Sequence, residues 1–119
     1  RCSRDWSSDV CSSDLDLARL RERFDDDDEL LAEIFAVFAG EAPDRRSGME
    51  AALAAGDLAR LAGMAHSLKG VAGTMLAESL RQAAYVLEMA ARSGDAPAAA
   101  AALPPVLERL ADTVGCLPG

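Results

Sequence analysis

Apolar residues return every three or four positions along most of the chain, which is the spacing of amphipathic α-helices. The first stretch with this period contains Leu17, Leu20 and Phe24 and predicts a short helix. Two later stretches carry longer apolar stripes, made of Leu80, Ala84, Leu87 and Ala91 and of Leu103, Val106, Leu107 and Leu110. No segment alternates apolar and polar residues with the period of two that is typical of strands. The pattern therefore predicts an all-α fold.

Turn and capping residues divide the helical pattern into segments. Four aspartates at 25–28 precede a strongly periodic stretch, and we interpret them as caps for its first backbone amides. The predicted apolar face of that helix consists of Leu30, Ile34, Val37 and Phe38. Further along, Gly56 with Asp57 and Gly94 with Asp95 each combine a residue that ends a helix with one that begins the next.

Prolines mark three further positions in the pattern. Pro43 interrupts the second stretch and is expected to open a new helical segment, because proline is favoured in a first helical turn. Pro104 and Pro105 lie inside the last stretch, which begins near Pro97, and are expected to kink that helix or delay its start. Four long helices joined by short turns predict an antiparallel up-and-down four-helix bundle, with the short first helix as an N-terminal cap.

Residues 1–15, RCSRDWSSDVCSSDL, have no helical or strand period and no apolar region of a signal peptide. The part from Asp5 to Leu15 closely resembles the translation of a common short-read sequencing adapter. We therefore interpret residues 1–15 as a non-native scar and assign the domain to residues 16–119. The three cysteines of the chain have neither metal-ligand nor disulfide spacing, and two of them fall in the scar. The remainder is typical of a reducing compartment.

The formal net charge of −8 on 119 residues argues against binding to nucleic acid or to an anionic membrane, because phosphate surfaces attract basic proteins. No run of about 18 apolar residues is present, so the sequence predicts no membrane span and no direct membrane contact. We expect a cytoplasmic protein, either alone or as the cytoplasmic tail of a membrane-bound one.

The only histidine and the only lysine of the chain, His66 and Lys69, lie three residues apart in a helical stretch. Its core stripe consists of Leu58, Leu61, Ala65, Leu68, Ala72 and Met75. At roughly 100° per residue, His66, Lys69, Gly70 and Gly73 fall on a second stripe that points away from the core. A glycine inside a helix costs about 1 kcal/mol relative to alanine, so two of them beside the histidine indicate that a partner approaches the backbone closely.

This arrangement suits phosphoryl chemistry. A neutral imidazole nitrogen is a competent nucleophile toward a phosphoryl group, and a lysine three residues away on the same side of the helix supplies a positive charge. One histidine with scattered carboxylates does not make a metal site, and no cofactor motif is present, so we expect neither a metal nor a cofactor. On the residues alone, the alternative remains that His66 is an ordinary surface residue.

The segment AHSLKGVAG, with LAAGD before it and SLRQAAYVLEMAARSGD after it, resembles the histidine-containing phosphotransfer (HPt) domain of two-component phosphorelays. The resemblance implies a four-helix bundle without kinase activity of its own, in which His66 is the phosphoacceptor and Lys69 stabilises the phosphoryl group. It implies that Gly70 keeps the docking surface flat, and from its place on the same stripe we expect Gly73 to belong to that surface. Glu88 matches the position at which the family places a Gln or Glu that orients the histidine ring.

The partners that the resemblance implies are response-regulator receiver domains and a hybrid sensor histidine kinase, in the same polypeptide or a separate one. The isolated domain is expected to be a monomer. Two residues depart from the usual family pattern: Val71 stands where serine is frequent, and Leu76 stands where a glycine often precedes the next helix. We expect Leu76 to change the turn between those helices.

Two other classes of function compete with phosphotransfer. A non-phosphorylated helical-bundle adaptor would bind a receiver or kinase without using His66, but the joint presence of His66, Lys69 and Gly70 argues against it. An enzyme would need a nucleotide loop, a metal cluster or a nucleophile with a base, and none of these is evident. The dimerising helix pair of histidine kinases would follow its histidine with an acidic residue and a proline, where this chain has Ser67 and Val71.

Overall fold

The computed structural model describes residues 17–115 and residue 117. Within these residues there are α-helices and no strands, which confirms the predicted all-α class. The helices are α1 (Leu17–Arg23), α2 (Asp28–Ala54), α3 (Leu58–Thr74), α4 (Glu78–Arg92) and α5 (Ala96–Gly115). The predicted scar at residues 1–15 lies outside the described residues.

The four long helices contact one another in a closed ring. Helix α2 packs on α3, α3 on α4, α4 on α5, and α5 returns to α2. The short α1 packs against α2, where Leu20 is fully buried and Phe24 packs half-buried against the core. The result is a helical bundle with a short N-terminal helix beside it. No helix of the described chain is both long and apolar enough to cross a membrane.

The three turns that join α2 to α5 share one backbone geometry. Each has two hydrogen bonds that close the preceding helix, such as Gly56 N–H to the Leu53 carbonyl at 3.0 Å and Asp57 N–H to the Ala52 carbonyl at 2.9 Å. This is the Schellman arrangement, in which a residue with positive φ ends the helix. The residues in that conformation are Gly56 (φ 71°), Leu76 (φ 58°) and Gly94 (φ 75°).

Leu76 therefore does not change the turn, contrary to the expectation from sequence. It takes up the same left-handed conformation as the glycines, at a cost of about 1–2 kcal/mol for an L-residue. Its side chain packs half-buried against the core, which offsets part of that cost. The backbone hydrogen bonds of the Schellman motif, including Ala77 N–H to the Ala72 carbonyl at 2.9 Å, are retained.

Of the four aspartates at 25–28, Asp27 is the N-cap of α2, and Asp57 and Asp95 cap α3 and α5 as predicted. The side chains of Asp27, Asp57 and Asp95 accept hydrogen bonds from backbone amides three residues on, at 3.0, 3.1 and 3.0 Å. Helix α4 begins after Ala77, which makes no side-chain cap. Ala77 is buried, so a capping carboxylate at that corner would lose contact with water.

The core stripe of α4 is confirmed, as is that of α3 apart from the half-buried Leu58, whereas the predicted face of α2 is wrong in part. The buried residues of α2 include Leu31, Phe35 and Phe38, and the predicted Leu30 and Val37 are exposed. In this segment apolar residues come as adjacent pairs, such as Leu30 with Leu31, so two neighbouring faces satisfy the helical period equally well. Helix α2 packs against both α3 and α5, and these contacts bury the face that contains Phe35.

The predicted new segment at Pro43 and the predicted late start of the last helix are both wrong, whereas the alternative of a kink at Pro104 and Pro105 stays a prediction. Helix α2 continues through Pro43, so no new segment opens there, and α5 begins at Ala96 and continues through Pro104 and Pro105. Pro104 and Pro105 are exposed, as are Ala100 and Ala101, whose carbonyls lose their helical donors. Water can satisfy carbonyls on an exposed helix face, which lowers the cost of the missing N–H groups.

Candidate functional site around His66

His66 lies in the middle of α3 on the side that faces away from the core. The neighbouring Ala65 and Leu68 are completely buried, while the His66 side chain is 61% exposed. A single helical turn can contain both buried and exposed side chains, because residues one position apart point in directions about 100° apart. The imidazole is thus fixed at its base by a packed helix and is open to a partner at its tip.

Glu88 joins His66 from the neighbouring helix. Its position on α4 borders the core stripe that contains Leu87 and Ala91, and its side chain is only 5% exposed. The Glu88 Oε2 atom lies 3.0 Å from His66 Nδ1. A carboxylate so deeply buried requires partners for both oxygens, because an unpaired buried charge is costly.

Two cations supply those partners. Lys69 Nζ lies 2.9 Å from Glu88 Oε1, and Arg92 places Nε and Nη2 at 2.9 and 2.8 Å from Oε2. The Lys69 ammonium lowers the pKa of Glu88 most, Arg92 and His66 lower it further, and burial opposes them. Together they bring the pKa of Glu88 from 4.5 to about 2, so this carboxylate is ionised at neutral pH.

The ionised state of Glu88 determines which imidazole nitrogen carries the proton. A carboxylate has no hydrogen to donate, so His66 Nδ1 must be the donor in the 3.0 Å contact. In the neutral ring the second nitrogen, Nε2, then holds the free lone pair.

Lys69 is held on two sides. Besides the ion pair with Glu88, its ammonium lies 5.3 Å from the centroid of the Tyr85 ring, within the range of a cation–π contact. The Lys69 side chain is 25% exposed, and an ammonium has three N–H donors, more than its single contact with Glu88 Oε1 can use. Donors therefore remain for an anionic group that arrives at the ring.

The glycines of α3 differ in their surroundings. Gly70 is exposed, and a Cβ atom built there would meet no atom within 4 Å, so close helix packing does not require this glycine. Gly73 is half-buried, and its Cβ would lie 3.6 Å from Arg81 Cδ, an ordinary contact. Gly63 is exposed and equally open, and it precedes His66 by one turn.

The site contains two residues that sequence reasoning missed. Gly63 lies three residues before His66 and Gly70 four residues after it, so bare backbone flanks the ring on both sides. Arg92 lies four residues after Glu88, which is the spacing of an ion pair on one helix face. Both signals are present in the sequence at helical spacing.

The other flank of α3 faces α2. Val71 lines an apolar groove of about 270 Å³ together with Val37, Ile34 and Met75. Half-buried Val71 thus has a packing role at the position where the family often has serine. Within the residues described, no group of three or more histidine, cysteine, aspartate or glutamate side chains is placed to hold a metal ion.

A family model described as Hpt domain matches residues 33–115. The chain belongs to the Hpt domain family. The match includes all of α3 and α4, and with them His66, Lys69 and Glu88. Hpt domains take part in histidine phosphotransfer within phosphorelays, where they interact with receiver domains and kinases. No curated protein and no solved structure matches the chain.

Proposed function

We propose that this Hpt domain is a phosphorelay intermediate in which His66 Nε2 accepts a phosphoryl group from a receiver-domain aspartate and passes it to another. The hydrogen bond between His66 Nδ1 and the buried, ionised Glu88 is the observation that carries the proposal. It leaves the lone pair on Nε2 of a largely exposed ring.

In the proposed step the Nε2 lone pair attacks the phosphorus of the aspartyl phosphate. The Nε2–P bond forms, the P–O bond to the aspartate breaks, and the aspartate carboxylate leaves with the electron pair. Positive charge develops on the imidazole, while the Nδ1 proton stays in its hydrogen bond to Glu88. The negative charge of Glu88 stabilises that charge in a poorly hydrated position. Donation to the next receiver is the same step in reverse.

Lys69 is the proposed cation for the phosphoryl oxygens. Two cations around one carboxylate leave the site with one net positive charge when the ring is neutral. A phosphoryl group on the ring brings negative charge of about 1.5 to 2 units, of which the single surplus positive charge offsets a part. The remaining N–H donors of Lys69 serve this contact.

The exposed face supports the proposed partners. We infer that receiver domains dock over Gly63, His66 and Gly70, where bare backbone lets a partner's acidic pocket reach Nε2. Connections of three residues between α2, α3, α4 and α5 support an antiparallel up-and-down arrangement. We further propose that the domain works as a monomer in the cytoplasm without enzymatic activity of its own, and that its phosphodonor is a hybrid sensor kinase, in the same polypeptide or separate.

The test uses a receiver domain that carries a radiolabelled aspartyl phosphate. Incubation with the wild-type protein should transfer the label as an acid-labile, alkali-stable adduct, and His66→Gln should abolish transfer with an unchanged helical circular dichroism spectrum. Ser67→Ala is the matched control, because it removes the hydroxyl next to His66 and should leave labelling intact. Incubation with ATP alone should give no adduct.

The same experiment separates phosphotransfer from the adaptor alternative. An adaptor would bind the receiver without taking its label, and His66→Gln would leave that binding unchanged. Labelling that survives His66→Gln would refute the assignment of the phosphoacceptor.

A further inference from the structure

Arg92 also belongs to this site, although the proposed role of Glu88 does not by itself require a second cation. Its guanidinium and the His66 ring contact the same oxygen, Glu88 Oε2, whereas Lys69 contacts the other oxygen. Lys69 alone would neutralise the carboxylate charge but would leave Oε2 with only the imidazole as a partner. The buried carboxylate would then be free to turn both oxygens toward the ammonium.

The contacts of Arg92 restrict that rotation. Nε and Nη2 both approach Oε2, at 2.9 and 2.8 Å, from the next turn of the same helix. Charge-assisted hydrogen bonds of this kind are stronger than neutral ones and strongly directional. Oε2 is therefore held on the side of α4 that faces His66, while Lys69 holds Oε1.

We propose that Arg92 is a positioning residue for phosphotransfer: through Glu88 Oε2 it keeps the Nδ1–H tautomer of His66 and so keeps the lone pair on Nε2. The expected effect on phosphotransfer rests on the proposed function. The tautomer itself is a property of the unphosphorylated protein. Without Arg92, the hydrogen bond from Nδ1 loses occupancy and the proton distributes between the two ring nitrogens.

An ordinary helical role for Arg92 makes a different prediction. Arg92 is the last residue of α4, where a cation stabilises the helix dipole, and its pairing with Glu88 at a spacing of four supports a helix on its own. Such a role affects stability but not the protonation pattern of the histidine. The tautomer distinguishes the two.

The measurement is straightforward because His66 is the only histidine in the chain, so the ¹⁵N spectrum contains one imidazole. The spectrum is recorded at about pH 9, above the range in which imidazoles ordinarily titrate. Under these conditions the two ring ¹⁵N shifts give the fraction of each tautomer. Wild-type protein should show the proton on Nδ1.

The informative variants are Arg92→Gln and Arg92→Lys. Arg92→Gln should move a measurable fraction of the proton to Nε2 and slow transfer from a labelled receiver by roughly threefold to tenfold, the worth of about one lost hydrogen bond. Arg92→Lys should recover part of both, since an ammonium can donate to Oε2.

Arg46→Gln is the matched control. Arg46 pairs with Glu50 at the same spacing on α2, and its side chain is 55% exposed against 53% for Arg92. We expect this variant to change neither the tautomer nor the transfer rate.

The outcomes are separable. An unchanged tautomer in Arg92→Gln overturns the positioning role, and slow transfer with that unchanged tautomer would mean that Arg92 acts directly on the receiver or the phosphoryl group. Failure of the wild type to accept label would refute the proposed function, whereas a tautomer shift in Arg92→Gln would still support the positioning of the ring.

Discussion

Replacing Gly70 should raise stability and lower function together. Gly70 lies inside α3 with helical backbone angles, is exposed, and has no atom within 4 Å of an added Cβ. Alanine is favoured over glycine in a helix interior by about 1 kcal/mol, and leucine by nearly as much. No clash offsets this gain. For a domain of this size 1 kcal/mol corresponds to an increase in Tm of about 4–8 °C.

The same substitutions should slow phosphotransfer in order of size. Gly70 follows His66 by one turn on the same helix face, so a side chain there stands beside the ring over which we propose that a receiver docks. We expect Gly70→Ala to slow transfer slightly and Gly70→Leu to slow it by roughly tenfold or more, the cost of a misplaced reacting group. Such opposition is typical of a site that gives up stability for function.

Gly40 provides the matched control. It lies inside α2, is exposed and has an equally empty surrounding, but it belongs to a different helix from His66. Gly40→Ala and Gly40→Leu should stabilise the fold by similar amounts and leave transfer unchanged. Urea unfolding and transfer of label from a receiver measure the two properties. A Gly70→Leu variant that is less stable than wild type, or that transfers at the wild-type rate, would refute the docking-surface reasoning.

Two further predictions concern the buried carboxylate and the helix caps. Because the pKa of Glu88 is lowered from 4.5 to about 2, its charge contributes stability above pH 4.5 that is lost as the pH falls toward 2. In urea titrations the stability advantage of wild type over Glu88→Gln should shrink across that range, and a difference independent of pH would contradict the ion-pair cluster. Asp57→Ala removes the hydrogen bond to Arg60 N–H and should cost about 1 kcal/mol of unfolding free energy without changing transfer. An unchanged urea midpoint would show that the cap does not contribute to the free energy of unfolding.

Features that depend on one or two helical turns were readable from the sequence. Gly56 and Gly94 end helices because glycine adopts the left-handed conformation at little cost, and Asp57 and Asp95 begin them because a short carboxylate reaches an amide three residues on. The exposure of His66 followed in the same way, since the α3 stripe has a single apolar face.

Predictions from local sequence preferences were wrong where core packing or contact with water determined the backbone structure. Leu76 keeps the turn geometry of a glycine, because its side chain packs against the core and the Schellman hydrogen bonds are retained. Pro43 stays within a continuous α2, since the helix propagates from both sides of an exposed position. These outcomes depend on free energies of side-chain contact or solvation, which cannot be read from the periodicity of apolar residues.

The rotation of each helix about its own axis was also determined by tertiary packing. Adjacent apolar pairs in α2 left two faces equally hydrophobic, and only contact with α3 and α5 buried Phe35 and exposed Val37. The cluster around Glu88 has the same origin. The family resemblance indicated that Glu88 faces His66, but the sharing of Oε2 between the ring and Arg92 depends on how α4 is rotated against α3, which is set by side-chain packing across the whole interface.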